Sequence, residues 1–398
     1  MVSNSETHLG DFFKSSRKKG MDGLPLLSVT LNDGLVIRDN LDRRTETNLE
    51  ASEHLLVQSG DIAYNMMRVW QGALGRATVN GLVSPAYVVL RPTEEIDSLY
   101  AEYLFKTSRM IYLFWAYSYG LTKDRLRLYF NDFARIPVEI PELQEQKKIA
   151  QILSTWDKAI TTTGQLLANS QQQKKALMQQ LLTGPHPLKP RLLDENGVRF
   201  EGEFKRRHFS DLLVIDKKSL GSKTDPDFEF EYISLSDVDA GCISSILERQ
   251  TFKAAPSRAR RIVASGDILM ATVRPNLQGF AQVTEQHQSC IASTGFAVLS
   301  PKENVCGDYV YHYLFSAHIT GQIDALVVGT NYPAINSSDV AGLCIYCPSF
   351  EEQVKIAAVL STADQEITAL QNKLAALKQE KKALMQQLLT GKRRVQIN

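Results

Sequence analysis

From Ile149 onward, one face of the chain recurs at alternating steps of four and three residues: Ile149, Leu153, Trp156, Ile160, Thr163, Leu167, Ser170, Lys174, Leu177 and Leu181. The same spacing returns at Ile356, Leu360, Ala363, Ile367, Leu370, Leu374, Leu377, Lys381, Leu384 and Leu388. A mean period of 3.5 residues keeps one narrow stripe of a helix turned toward a partner helix, so both stretches read as coiled-coil seams. Each predicts a helix of roughly 40 residues, about 60 Å long at the standard rise. Pro141 and Pro348 can start these helices, Gly184 and Gly391 suit their C-caps, and Pro185 closes the first. Lys174 and Lys381 break the apolar run, and a lysine in a seam sets register at some cost in stability.

Outside the seams the pattern changes to short apolar runs bounded by turn residues, which predict strands over Leu26 to Leu31, Ala86 to Arg91, Tyr232 to Leu235 and Gly295 to Leu299. Aromatic-rich runs from Leu99 to Trp115 and from Tyr309 to Ile319 read as one helix each. Their Tyr103, Leu104, Trp115, Tyr313 and Leu314 are expected in the core rather than on a base-stacking platform. The fold class is therefore α/β, with two globules separated and followed by two long helices.

The two halves are copies. Lys174 to Gly184 and Lys381 to Gly391 are the same eleven residues, and more than half the positions between Pro141 and Gly184 match those from Pro348 to Gly391. Ser59-Gly60-Asp61-Ile62 returns as Ser265-Gly266-Asp267-Ile268, and Tyr103-Leu104-Phe105 as Tyr313-Leu314-Phe315. Two long units make an internal duplication and not a solenoid. The expected order is a globule over 1–140, a helix over 141–184, a second globule with its linker over 185–347, a helix over 348–391 and a basic tail over 392–398. Packed antiparallel, the helices would relate the halves by an approximate two-fold axis. A pseudo-two-fold protein suits two half-sites spaced along a duplex.

Composition narrows the setting. The 398 residues are 43% hydrophobic and 22% charged, ordinary for a globular protein, with no signal-peptide or membrane-helix run, so the cytoplasm is the expected location and no membrane partner is expected. Five cysteines, all in the second half, do not form a secreted disulfide framework. Cys344-Ile345-Tyr346-Cys347 has metal-ligand spacing, but it lies in a strand-like run and reads as a packed strand, with no metal expected. The net charge of +1 excludes a simple basic nucleic-acid binder, so affinity for DNA has to come from local patches or from a partner.

Basic clusters supply such patches: Lys14, Arg17, Lys18 and Lys19; Arg43 and Arg44; Lys123, Arg125 and Arg127; Lys205, Arg206 and Arg207; Lys217 and Lys218; Arg258, Arg260 and Arg261. A charge run is more often a solvated face than a contact. Arg68 and Arg274 are more specific, because each follows the repeated Ser-Gly-Asp-Ile and precedes a Gln-Gly pair, Gln71-Gly72 or Gln278-Gly279. Arginine in a loop reads guanine, and Gln71, Asn276 or Gln278 can read adenine; the competing reading is an arginine closing a salt bridge inside the fold. Ile152, Leu166, Leu182, Val359 and Leu389 lie off the seam and are expected to be exposed, as docking positions for a partner. No phosphate loop, dinucleotide fingerprint, zinc-protease motif, nucleophile elbow or amino-methyltransferase motif occurs, so the chain is expected to be non-catalytic.

Two divergent α/β globules alternating with near-identical helices that open Pro-x-x-x-Glu-Gln-x-Lys-Ile-Ala, at Pro141 to Ala150 and Pro348 to Ala357, resemble the specificity subunit of type I restriction-modification systems. The Leu-Ser-x-x-Asp runs at Leu153 to Asp157 and Leu360 to Asp364, and the Gly120-Leu121-Thr122 and Gly329-Thr330-Asn331 turns, extend the resemblance over most of the chain. It implies that each globule is a target recognition domain reading half of a bipartite, asymmetric sequence in double-stranded DNA, and that the helices set the unread spacer. Two modification subunits would carry S-adenosylmethionine and methylate adenine; restriction subunits would supply ATP- and magnesium-dependent cleavage; this chain would hold no cofactor. The alternatives are a DNA-binding adaptor of another assembly, or a coiled-coil scaffold.

Overall fold

The computed structural model describes residues 7–41, 48–122, 126–182, 191–239, 241–327 and 333–396. The chain forms two compact units, residues 1–164 with 372–398, and residues 165–371.

In the first unit, the strands β1 (Phe13–Ser16), β2 (Ile62–Asn65), β3 (Leu74–Arg76) and β4 (Tyr87–Pro92) form an antiparallel sheet in the order β1-β4-β2-β3. In the second, β5 (Leu213–Ile215), β6 (Ile268–Ala271), β7 (Phe280–Gln282) and β8 (Phe296–Pro301) repeat it as β5-β8-β6-β7. Even the register is kept: Ile62 faces Leu90 and Arg76, and Ile268 faces Leu299 and Gln282. The central strands are covered on both faces, with Ile62, Ala63, Ile268, Leu269 and Met270 inaccessible to solvent.

The repeated Ser-Gly-Asp is the turn that feeds each central strand. Gly60 and Gly266 take left-handed φ values of 94° and 88°, which glycine adopts without a Cβ clash. The aspartates that follow are buried, and a buried carboxylate needs partners. Asp61 accepts from the Gln58 amide at 2.9 Å and pairs with Arg91 at 3.2 Å. Asp267 accepts from the Ala264 amide at 2.8 Å and from the Ser300 hydroxyl at 2.6 Å.

Each aromatic-rich run is broken in two, as α1 (Ser98–Phe105) and α2 (Ser108–Ala116), and as α4 (Gly307–Leu314) and α5 (Ala317–Leu326). Thr107 and Ser316 make the breaks, because their hydroxyls accept from the amides of Met110 and Ile319 and so cap the second helix. Tyr103, Leu104, Tyr313 and Leu314 are core, whereas Trp115 is 44% exposed, on the last turn of α2 beside the exposed Tyr112. The second unit adds a four-stranded sheet of Glu248–Thr251, Glu229–Ile233, Ile291–Ser293 and Ala259–Ile262. Cys344–Cys347 is a strand paired with Lys205–His208, and burial pushes the Cys347 thiol up to about 12.

The long helices are α3 (Leu143–Leu181) and α6 (Phe350–Leu388). Pro141 and Pro348 stand two residues ahead of them, and the first helical bonds run from the Gln146 and Gln353 amides to the carbonyls of Glu142 and Ser349. Gly391 follows α6 with a φ of 70°; Gly184 and Pro185 lie outside the described residues. Every seam position in both helices is buried or half-buried, as a 3.5-residue repeat requires. The helices pack antiparallel within each unit. In the second, Ser170 meets Glu366 and Lys174 meets Asp364, rising in one helix and falling in the other; in the first, Lys381 meets Asp157.

Candidate nucleic-acid interface

Each globule is fixed to the start of one long helix and the end of the other. Ile149, Ala150, Leu153, Leu388 and Leu389 enter the first core, while Ile356, Ala357, Leu360, Leu181 and Leu182 enter the second. The Glu-Gln pair that opens each helix supplies the polar part of the joint. Gln146, almost inaccessible, accepts from the Asp97 amide at 2.8 Å and donates to the carbonyls of Pro141 and Glu95. Gln353 accepts from the Cys306 amide at 3.2 Å and donates to Pro348. In both units that amide belongs to the N-cap residue of the same helix, α1 or α4.

The adjoining glutamates are also buried, and each is neutralised by an arginine from the segment after the other helix. Arg394 lies 2.6 Å from Glu145, and the Arg191 Nε donates to Glu352 at 3.0 Å. The basic tail therefore includes a structural cation, which the charge run gave no means of seeing.

The seam lysines have a matching role. Lys174 pairs with Asp364 and Lys381 with Asp157, so the exit motif of one copy binds the Leu-Ser-x-x-Asp motif of the other. Tyr103 donates to Asp157 at 2.5 Å, and burial together with that bond raises the phenol above its usual range. In the second unit His312 stands 3.6 Å from Asp364 and bonds Ser361 at 2.9 Å; burial draws its pKa down to about 4.

On this frame the loops after β2 and β6 carry the candidate readers. Arg68 is exposed at the head of a 3-10 turn, Val69–Gln71, and among the described residues its guanidinium has no ion-pair partner. Gln71 is exposed beside it. The Leu128 amide bonds the Met66 carbonyl at 3.0 Å and brings Arg127, which pairs with Tyr119 through the backbone, alongside this loop. Met67, Tyr119, Leu121, Arg127 and Tyr129 line an open groove of about 750 Å³ there. Arg274 and Asn276 are likewise exposed, around the turn Pro275–Leu277, with Gln278 half-buried at its end.

The other basic candidates divide. Lys18, Lys19, Lys217, Lys218 and Arg258 are exposed. Arg260 and Arg261 are engaged inside the fold, contrary to their reading as phosphate contacts. The Arg260 guanidinium lies 4.4 Å from the centre of the Phe252 ring and donates to the Ala259 carbonyl, and Arg261 pairs with Asp216 at 2.8 Å. Arg43, Arg44, Lys123 and Arg125 lie outside the described residues.

Of the docking candidates only Leu166, 50% exposed, has the expected accessibility. Ile152 and Val359 are half-buried against the cores. Leu182 and Leu389 are core residues at 0% and 7% exposure, because the helix ends turn into the globules and bury more than the seam stripe. Among the described residues no helix is long and apolar enough to cross a membrane, and no cluster of three or more His, Cys, Asp or Glu side chains is placed to hold a metal ion.

Comparison with known proteins agrees with this architecture. The family model of the type I restriction modification DNA specificity domain matches residues 6–169 and 211–379. The type I restriction enzyme MjaVIII specificity subunit of Methanocaldococcus jannaschii is 23% identical over 373 residues, covering 86% of this chain and 81% of the relative. The HindI specificity subunit of Haemophilus influenzae is 26% identical over 123 residues, 30% of this chain and 27% of that one. Among solved structures, the type I restriction-modification S subunit from M. genitalium superposes with a TM-score of 0.58 at 15% identity, over 100% of this chain and 99% of that one. A chain from a structure of type I system assembly and conformational transition gives 0.54 at 14% identity, over 96% of each.

Proposed function

Since the chain belongs to the type I restriction-modification DNA specificity family and has that family's role in DNA sequence recognition, we propose that its two globules each read one half of a bipartite, asymmetric duplex target. The observation that carries this reading is the equivalence of the reading loops. Arg68 and Arg274 each leave the central strand of the same four-stranded sheet, six residues after the strand-opening Ile62 or Ile268, with the same order and register around them. The same platform with different loop residues is what two unlike half-sites require, since sequence is read by side chains on base edges and not by the framework.

On this proposal the chain is non-catalytic. Two modification subunits bind along the long helices, at surfaces that include Leu166; they carry S-adenosylmethionine and methylate adenine. Restriction subunits bring ATP, magnesium and cleavage. Arg68, Gln71, Arg274, Asn276 and Gln278 contact bases, and Lys18, Lys19, Arg127, Lys217, Lys218 and Arg258 contact phosphates. The near-neutral net charge makes the partners necessary for tight binding.

The test is an exchange of residues 1–140 for the corresponding globule of another specificity subunit, followed by methylome sequencing. One half of the methylated motif should change while the other half and the spacer stay. An unchanged motif, or loss of both halves in a complex that still assembles, would refute the division of labour.

A further inference from the structure

The turn after β6 is held in a conformation that its residues do not choose on their own. Arg274 and Gln278, which flank Pro275–Leu277, have φ values of 50° and 53°, in the left-handed region that favours glycine. The equivalent turn of the first unit ends on Gly72, with a φ of 98°, where glycine meets the geometry cheaply. The second turn closes on a left-handed residue without the glycine and opens on another at Arg274, where Arg68 has a φ of −131°, and its surroundings hold it there. Pro275 is buried, the Arg274 amide donates to the Pro333 carbonyl at 2.7 Å, and the Gln278 side chain reaches the Thr320 hydroxyl at 3.4 Å.

This support lifts two neighbouring side chains off the globule. Asn276 is exposed, and Leu277 is 67% exposed at the end of the turn. A leucine on a mobile surface loop would need no explanation. Here it is carried, beside an amide, on a backbone fixed at both ends, which is how a contact is pre-organised rather than formed on binding. An amide that can donate and accept together matches the N6 and N7 edge of adenine, and an apolar tip matches the 5-methyl group of thymine.

We propose that Asn276 and Leu277 are the specificity-determining pair of the second globule and that they read an adenine–thymine step in the major groove. Asn276 takes the adenine edge and Leu277 packs on the thymine methyl. The inference rests on the reading of the globules as half-site readers.

The experiment uses the full chain assembled with its modification subunits. Methylome sequencing first gives the motif and assigns its halves through the exchange of residues 1–140. Methylation rates are then measured on duplexes in which thymine in the second half-site is replaced by deoxyuridine, which lacks only the methyl group, or adenine by 7-deaza-adenine, which lacks only the N7 acceptor. At one position the uridine duplex should be slower by about fivefold or more with the wild-type chain and unaffected with Leu277→Ala. The 7-deaza duplex should behave likewise toward Asn276→Ala, and neither variant should alter recognition of the first half-site. Because the DNA changes leave the protein untouched, a folding defect cannot imitate this pattern. A second half-site without an A·T pair, or equal sensitivity to uridine in wild type and Leu277→Ala, would overturn the proposal while leaving the half-site reading intact. A motif indifferent to the exchange of residues 1–140 would overturn both.

Discussion

Arg68 and the pair Arg260 and Arg261 show how little a charge run says about use. All are arginines near turns, yet Arg261 closes an ion pair with Asp216 and Arg260 lies on Phe252, while Arg68 is solvent-exposed at the loop after the central strand. Arg68→Ala should therefore cost roughly 1 to 3 kcal/mol of discrimination at one base pair of the first half-site, and Arg274→Ala the same in the second. Methylation rates on duplexes with single substitutions measure this; a uniform loss across all sequences would make these residues phosphate contacts. Leu182 has the opposite character. Being inaccessible, it should cost about 2 to 5 kcal/mol of stability on truncation to alanine, through lost burial and the cavity left behind. Urea unfolding of the purified variant checks it, and a loss under 1 kcal/mol or so would place the residue at the surface instead.

At the scale of elements, the two long helices are tied by reciprocal polar contacts. The Lys174–Asp364 and Lys381–Asp157 pairs each use one residue from either helix and sit where the seam would otherwise be apolar. That placement specifies the antiparallel register, since a shifted pairing would bury an unpartnered lysine. The Lys174–Asp364 pair has a pH-sensitive neighbour. His312 packs with Asp364, Lys174 and Asp308 around it, and burial is the main reason its pKa falls from 6.5 to about 4. The unfolded chain takes up a proton below about 6.5 that the folded chain refuses until about 4. This contribution to stability is therefore complete above pH 6.5 and is lost as the pH falls to 4, by about 3 kcal/mol at the bottom of the window. Urea midpoints at pH 7 and pH 4.5 should fall less for His312→Gln than for the wild-type chain. Parallel declines in the two proteins would assign the acid sensitivity to other groups.

For the whole molecule, the proposed function makes the helices the measure of the unread spacer. One heptad inserted between Asp157 and Lys174, matched by another between Asp364 and Lys381, keeps the seam in phase and leaves both Lys–Asp pairs intact. It adds about 10 Å of helix, equivalent to roughly three base pairs of duplex. The added duplex twist also rotates one half-site relative to its reader. Methylome sequencing should find the same bases in both half-sites with a longer spacer, or the same motif methylated less completely. Full methylation at the original spacing would show that the partner subunits set the separation.

The sequence by itself determined the duplication, the seams, the α/β class and the family, because these rest on periodicity and local identity, which the chain carries in its own order. It also read Cys344–Cys347 as a packed strand, and the segment pairs with Lys205–His208. Only the tertiary structure decided which polar residues answer one another. Gln146 and Gln353 were legible as parts of a repeated motif, but their partners, Asp97 and Cys306, lie about fifty residues upstream and are unlike residues that offer only a backbone amide. The same holds for Arg394 with Glu145 and Arg191 with Glu352. Helical periodicity also placed Leu182 and Leu389 off the seam and so on the outside, a sound inference for an isolated pair of helices. The globule cores cover those positions, and burial is a property of what surrounds a helix, not of its own repeat. Likewise the exposed tip at Asn276 and Leu277 depends on a left-handed backbone at Arg274 and Gln278, which no side chain there prefers and which long-range contacts impose.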